Sequence, residues 1–304
     1  MKQTFSAHGK LMLTGEYVVL DGALSLALPT QKGQRLEVIS IPENEFHWKS
    51  FDVEGKIWLE GIWDVTLQEW KSISDKDAAK YLEVLLKYAN NELGIDLSGF
   101  AANTFLEFPN HWGLGTSSTF ISLIAQWWRV DPYYLLKITF GGSGYDIACA
   151  NSNQPIIYQL QNQQPIVEKV AFRPIFREVL AFVYLGNKQN SRDGISKYRS
   201  IQTDKSEVIS ELNDITRKVL ACDDLDEFEH LIGVHEYLIS DLIRIERVKD
   251  RLFPEYWGSV KSLGAWGGDF VMINHHGDEE EAKAYFKHLG YTTYIPYSDM
   301  VLEF

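Results

Sequence analysis

The chain is short of cysteine, of basic charge and of long apolar runs, and each shortage closes off a class of protein. Only Cys149 and Cys222 occur in 304 residues, so no dense disulfide framework supports the fold, and no CxxC or Cys/His spacing offers a zinc site. That usage agrees with a reducing compartment. Lys and Arg number 29 against 42 Asp and Glu, a formal charge of −13. A phosphate polymer or an anionic membrane is repelled at long range by such a surface, whereas a small phosphate ligand needs only a local nest of donors. No run approaches the ~20 apolar residues of a membrane span; residues 119–128 (TFISLIAQWW) are the most apolar stretch. Met1-Lys2-Gln3-Thr4-Phe5 lacks the apolar core and small-residue cleavage site of a secretory leader. The expectation is a soluble, cytoplasmic protein that binds neither nucleic acid nor membrane.

Several common site motifs are also missing. Gly9-Lys10 and Gly55-Lys56 lack the glycine spacing and following hydroxyl of a Walker A loop. There is no GxGxxG turn and no HExxH, and Gly141-Gly142-Ser143-Gly144 is not a nucleophile elbow because Tyr145 stands where the last glycine belongs.

What is present is an ordinary globular composition, 45% hydrophobic and 23% charged, with enough length for one large domain or two of about 150 residues. The pattern is β-rich first and mixed later. Lys10–Leu20 reads as a strand closing on Asp21-Gly22, with further strands at 25–28, 35–41 and 45–53. Residues 75–93 place Leu82, Leu85, Leu86, Ala89 and Leu93 on one helical face before Gly94. A strand at 100–108 leads through a glycine-rich turn into an apolar helix at 117–128. In the second half, strands are expected at 178–185, 270–274 and 291–295, and helices at 204–220, 225–252 and 279–289; His235 falls on the apolar face of the second of these. This sequence of elements predicts an α+β protein in two lobes, divided near the polar cluster at residues 162–165. The nine Trp and 15 Tyr are many for this length; Trp48, Trp58 and Trp63 serve either as core or as walls of a nucleotide pocket.

Four segments carry possible chemistry. Pro109-Asn110-His111-Trp112-Gly113-Leu114-Gly115-Thr116-Ser117-Ser118 stands directly before the apolar helix. Its glycines admit a ligand to the backbone, and the helix start offers unpaired N–H groups and hydroxyls to a phosphate; it is equally a turn with a Ser N-cap. Gly141–Ala148 presents Asp146 between glycines and an apolar run, suited to orienting a hydroxyl and accepting its proton, or to capping a helix. Ser262–Phe270 contains Gly264, Gly267 and Gly268, a tight loop with or without a ligand. Ala7-His8-Gly9-Lys10 leads into the first long strand, where Glu16 is a carboxylate in need of a partner.

In this order the segments resemble the GHMP kinase superfamily, which includes galactokinases, homoserine kinases, mevalonate kinases and phosphomevalonate kinases. His8-Gly9-Lys10 and Gly15-Glu16-Tyr17 are similar to its opening strand, with His8 at a usual proline. Pro109–Ser118 resembles its phosphate loop, Gly144-Tyr145-Asp146 its catalytic-aspartate segment, and Gly264–Gly268 its C-terminal glycine loop, with Trp266 at a usual glycine. The matches run from residue 7 to residue 270. The resemblance implies a two-lobed GHMP kinase fold, with a left-handed βαβ N-terminal lobe (residues 1–165, binding ATP) and a ferredoxin-like C-terminal lobe (residues 166–304). It implies ATP-dependent phosphorylation of a small, hydroxyl-bearing, anionic metabolite by a monomer or homodimer. Asp146 and Lys10 would be catalytic. Pro109, Gly113, Leu114, Gly115, Thr116, Ser117 and Ser118 would hold ATP, with Ser117 on Mg²⁺. Glu16, Tyr17, Lys188, Arg192, Lys197, Gly264, Gly267 and Gly268 would face the acceptor.

Gly15-Glu16-Tyr17, Gly142–Asp146 and Asp269 lean toward the phosphomevalonate kinase branch. Mevalonate kinases usually carry a Mg²⁺-binding Glu eleven residues before the catalytic Asp, and Leu135 stands there instead. Competing expectations are a mevalonate kinase or another GHMP metabolite kinase, a diphosphomevalonate decarboxylase, and a non-catalytic regulatory protein of this fold.

Overall fold

The computed structural model describes residues 2–186, 191–264, 266 and 268–303. The chain forms two compact units that interleave along the sequence. The first comprises residues 1–9, 32–110 and 115–151, the second residues 10–31, 111–114 and 152–304.

The first unit takes most of β1 (Lys2–Met12), the later part of β2 (Ser25–Ser40), then β3 (Phe46–Phe51), β4 (Ile57–Asp64), β5 (Glu69–Ile73), α1 (Lys76–Asn91), β6 (Phe100–Leu106), α2 (Thr116–Trp128), α3 (Pro132–Ile138) and α4 (Tyr145–Ala150). Within it the strands run in the order β5-β4-β3-β6-β2, antiparallel except for the parallel pair β3 and β6. A parallel pair needs a long crossover, and β4, β5 and α1 provide it. Alternation in β3 buries Phe46, Trp48 and Ser50 and leaves Lys49 outside. Helix α1 begins where the Asp75 carboxylate accepts the N–H groups of Asp77 and Ala78, both at 3.0 Å. It presents Ala79, Leu82, Leu85, Leu86 and Ala89 to a core that Trp48 and Trp63 also fill, each 1% exposed. Trp58 is 37% exposed, so of the three tryptophans singled out, two are core.

The second unit takes the end of β1, the beginning of β2, β7 (Ile156–Gln161), β8 (Gln164–Lys169), β9 (Leu180–Tyr184), α5 (Ser191–Arg199), α6 (Ser206–Ala221), α7 (Leu225–Ile243), α8 (Val248–Leu252), β10 (Val260–Ser262), β11 (Phe270–Asn274), α9 (Glu279–His288), β12 (Tyr294–Pro296) and α10 (Tyr297–Met300). Four antiparallel strands in the order β10-β11-β9-β12 form one sheet. Its strands β9 and β11 are buried along their whole length, and Phe253, Phe286 and Val271 are among the side chains of the cluster packed on it. β7 pairs with Ser25–Ala27 and with β8. Both units obey the expectation of an α+β protein.

Two expected elements are interrupted. Lys10–Leu20 is not one strand: it stops at Met12, turns through Gly15 (φ +88°) and Tyr17 (φ +64°), and ends in a short 3₁₀ turn at Val18–Asp21. The β-formers there are buried by tertiary packing rather than by a ladder, which overrides their propensity. The helix expected over 225–252 breaks at Arg244, whose left-handed backbone (φ +55°) closes α7 before α8 begins.

Candidate functional site

In the first unit, Pro109 and Asn110 lead toward α2. Gly115 caps that helix in the left-handed region (φ +96°), and no side chain caps it. Two hydroxyls near the helix start are engaged within the protein: Ser118 Oγ donates to the Gly115 carbonyl at 2.8 Å, and Thr119 Oγ1 lies 2.7 Å from the side-chain oxygen Gln34 Oε1 and 3.0 Å from the Thr116 carbonyl. The first N–H groups of the helix therefore keep their anion-binding capacity. Thr116 and Ser117 are half-buried, whereas Ser118 is fully buried.

Asp146 lies in the first turn of α4, behind Gly144 (φ +86°). It is half-buried, and its Oδ1 accepts the N–H of Ile147 at 3.0 Å. Burial, with the charges of Asp131 and Asp146, pushes the Tyr133 phenol up to about 12. Leu135 is fully buried in α3, and the Asp131 carboxylate caps that helix at the Tyr133 N–H, 2.9 Å away. Helix α3 thus turns the apolar side chain of Leu135 inward.

In the second unit, Lys10 to Met12, Trp112 to Leu114, Leu263, Gly264, Asp269 and Phe270 line one small pocket. The Lys10 ammonium donates to the Gly113 carbonyl at 3.1 Å, and its N–H donates to the Leu114 carbonyl at 2.9 Å. Asp269, 6% exposed, lies against two left-handed glycines: a methyl group on Gly113 (φ +70°) or Gly264 (φ +67°) would come within 2.4 Å of its carboxylate. Trp112 meets Phe270 edge-on at 5.4 Å, and the Tyr184 hydroxyl donates to the His111 carbonyl at 3.0 Å. These contacts bring Lys10, Gly113, Leu114, Gly264 and Asp269 into one neighbourhood, and Gly268, buried, precedes Asp269 in the chain. Trp266 is buried with a left-handed backbone (φ +53°). Gly267 lies outside the described residues.

Of the other expected acceptor residues of this unit, Tyr17 lies in the turn after β1. Tyr17 stacks on Tyr198 of α5 with ring centroids 5.9 Å apart, and its hydroxyl lies 2.6 Å from where a Gly194 methyl would be. The Tyr198 hydroxyl donates to Asp21 Oδ2 at 2.7 Å, and Lys205 donates to the same oxygen at 3.0 Å. Burial alone would raise the Asp21 carboxyl, but the bonds from Tyr198 and Lys205 outweigh it and hold the group below its ordinary range. Lys197 is exposed on α5. Lys188 lies outside the described residues, as does the side chain of Arg192.

Glu16 is placed differently from the other acceptor candidates. It is 2% exposed and ion-paired with Lys261, beside Glu236 and His235. Lys261, Glu236 and His235 were not legible as site residues. The available signals were a lysine between Val260 and Ser262 just before the glycine loop and a His-Glu pair on the buried side of α7.

No protein-family model matches the chain, and no curated protein matches it. Solved structures do. The Methanococcus jannaschii mevalonate kinase aligns over 97% of this chain and 97% of its own, with a TM-score of 0.70 at 17% identity. The Streptococcus pneumoniae phosphomevalonate kinase in complex with phosphomevalonate and AMPPNP aligns over 95% of this chain and 97% of its own, with a TM-score of 0.67 at 15% identity. The Lactococcus lactis galactokinase complexed with galactose aligns over 97% and 94%, with a TM-score of 0.66 at 14% identity. The chain has the GHMP kinase fold.

Proposed function

We propose that this chain is an ATP-dependent small-molecule kinase that transfers the γ-phosphoryl group to a mevalonate-series acceptor, phosphomevalonate first among them. The observation that carries the reading is the start of α2: a left-handed glycine and no side-chain cap, with Ser118 Oγ donating to the Gly115 carbonyl, which supports the helix end as a place for an anion. Phosphoryl transfer asks a protein for positioning and charge stabilisation more than for covalent chemistry. In the proposal residues 1–165 carry the ATP site and residues 166–304 the remainder. Gly113–Ser118 hold the phosphates, Asp146 orients the acceptor hydroxyl and takes its proton, and Lys10 stabilises charge that develops on the transferring group. Tyr17, Lys197, Gly264 and Gly268 face the acceptor.

Mg²⁺ would supply further neutralisation of the phosphate charge. Among the described residues no three His, Cys, Asp or Glu side chains gather to hold a metal. The half-buried Ser117 hydroxyl on the first turn of α2 fits a magnesium ion whose other ligands are phosphate oxygens and water. The buried Leu135 supports phosphomevalonate over mevalonate as the acceptor, since the carboxylate typical of mevalonate kinases is missing from α3.

The test is ADP release over mevalonate, phosphomevalonate, diphosphomevalonate, homoserine and galactose. Turnover is expected with a mevalonate-series compound, and Asp146→Ala should lose at least ~100-fold, the lower end of a general-base contribution. Equal rates in wild type and variant would sink the catalytic assignment. Release of carbon dioxide from diphosphomevalonate would move the protein to the decarboxylase reading.

A further inference from the structure

The turn at Gly15-Glu16-Tyr17 is tied to the strand before the glycine loop by buried charges that the phosphoryl-transfer reading leaves unused. Lys261 of β10 is fully buried. Its ammonium pairs with Glu16, lies 3.0 Å from Glu236 Oε1, and donates to the Ser262 carbonyl. Ser262 Oγ donates to Glu236 Oε2 at 2.7 Å. His235, the neighbour of Glu236 on α7, accepts the Gly15 N–H at Nε2, 3.0 Å away, and the same nitrogen lies 3.3 Å from Glu16 Oε2. A ring nitrogen that accepts carries no proton, so the imidazole proton sits on Nδ1, which finds no hydrogen-bond partner among the described residues.

Two carboxylates thus share one ammonium in a site closed to water. Burial outweighs the pull of Lys261 and, with the Glu236 charge, pushes Glu16 up to about 7. Burial lowers Lys261, but Glu16 and Glu236 together outweigh it and hold the ammonium above its ordinary range. Burial, helped by the Lys261 charge, keeps His235 neutral. The turn anchored this way is strained: Gly15 and the non-glycine Tyr17 both lie in the left-handed region, and such conformations persist only where surrounding contacts over-determine them.

We propose that Lys261 is a positioning residue for the acceptor: through Glu16 it holds the Gly15–Tyr17 turn in its strained form, so that Tyr17, rather than Glu16, is the substrate contact of that turn. Glu16 is 2% exposed with its carboxylate taken up by Lys261, whereas Tyr17, 9% exposed, sits at the end of the anchored turn with its ring on Tyr198 and its hydroxyl toward Gly194. The glycine loop that leaves β10 at Ser262 is set by the same cluster. This inference deepens the kinase reading and rests on it.

The experiment compares wild type with Glu16→Gln and Lys261→Met. Glu16→Gln keeps the shape and leaves Lys261 paired with Glu236, so it should fold, with a Tm within about 3 °C of wild type. Steady-state kinetics with phosphomevalonate and ATP is read beside amide hydrogen exchange. The expected result is a rise of roughly 10-fold in the acceptor KM, an ATP KM changed by less than about twofold, and faster exchange confined to residues 13–22. Lys261→Met should show the same pattern more strongly, and Lys261→Arg should restore part of it. Unchanged acceptor KM and unchanged exchange in Glu16→Gln would overturn the proposal. So would equal changes in both KM values with exchange raised throughout, the mark of a merely structural cluster. Faster exchange confined to 13–22 in a protein whose wild type turns over no acceptor would retire the kinase reading and leave the Lys261 hold on the turn standing.

Discussion

Glu16 sets the pH response expected of this protein at the scale of one side chain. Its folded-state value of about 7 lies above the 4.5 of an unfolded glutamate. The folded state therefore binds the extra proton, and the stabilisation is fully present below pH 4.5 and is lost as pH rises through 7. The shift corresponds to roughly 3 kcal/mol. His235 acts in the opposite sense, because its depressed value makes stability fall as pH drops below the ordinary histidine range. Comparison with Glu16→Gln isolates the first effect: the Tm of wild type minus that of the variant should grow steadily from pH 8 down to pH 5, measured by circular dichroism, and a flat difference would contradict the assignment. Gly113 is the second residue-scale case. Its left-handed backbone and the Asp269 carboxylate within 2.4 Å of an added methyl make Gly113→Ala doubly unfavourable. A loss of ~1–3 kcal/mol is expected in denaturant unfolding, and Asp269→Ala in the same chain should recover the steric share.

Elements with strong local signals formed where the chain pattern placed them. Helix α1 has an aspartate cap, five apolar residues at helical spacing and a glycine shortly beyond its end, and it spans Lys76–Asn91. Its buried stripe is packed without exposure at Leu85, so Leu85→Ala should lower stability by ~2–5 kcal/mol in urea titration. A smaller effect would mean that the cavity collapses. Helix α2 also follows its glycine-rich lead, one residue earlier than expected. The segment after β1 did not follow its pattern. Val18, Val19 and Leu20 have β propensity, but left-handed Gly15 and Tyr17 end the strand first. A run of β-formers reports that a segment is buried; it does not report whether a neighbouring strand is there to pair with it.

At the scale of the molecule, ATP binding has a consequence that needs no acceptor. A ligand that binds only the folded chain stabilises it by about 2.7 kcal/mol at 100 times its Kd. A Tm rise of several degrees is therefore expected with saturating ATP and magnesium, and Gly115→Ala should reduce it, since a methyl there strains the left-handed start of α2. No rise at any nucleotide concentration would count against the α2 end as a phosphate site.

The amino-acid sequence by itself determined the α+β class and the position of helices such as α1 and α2, because helix caps, periodicity and glycine turns act over a few residues; the fold was anticipated only through the resemblance that the four motif segments carry. Tertiary structure decided the rest. The composition change near residue 165 is a property of neighbours along the chain, whereas the compact units interleave, because β1 and β2 each run from one unit into the other. It also decided the fate of Glu16. From sequence it is a carboxylate in need of a partner; only packing brought Lys261, 245 positions away, to its side. An ion pair between distant residues leaves no local pattern, since its energy depends on burial and distance in space, and neither is written in the order of the chain.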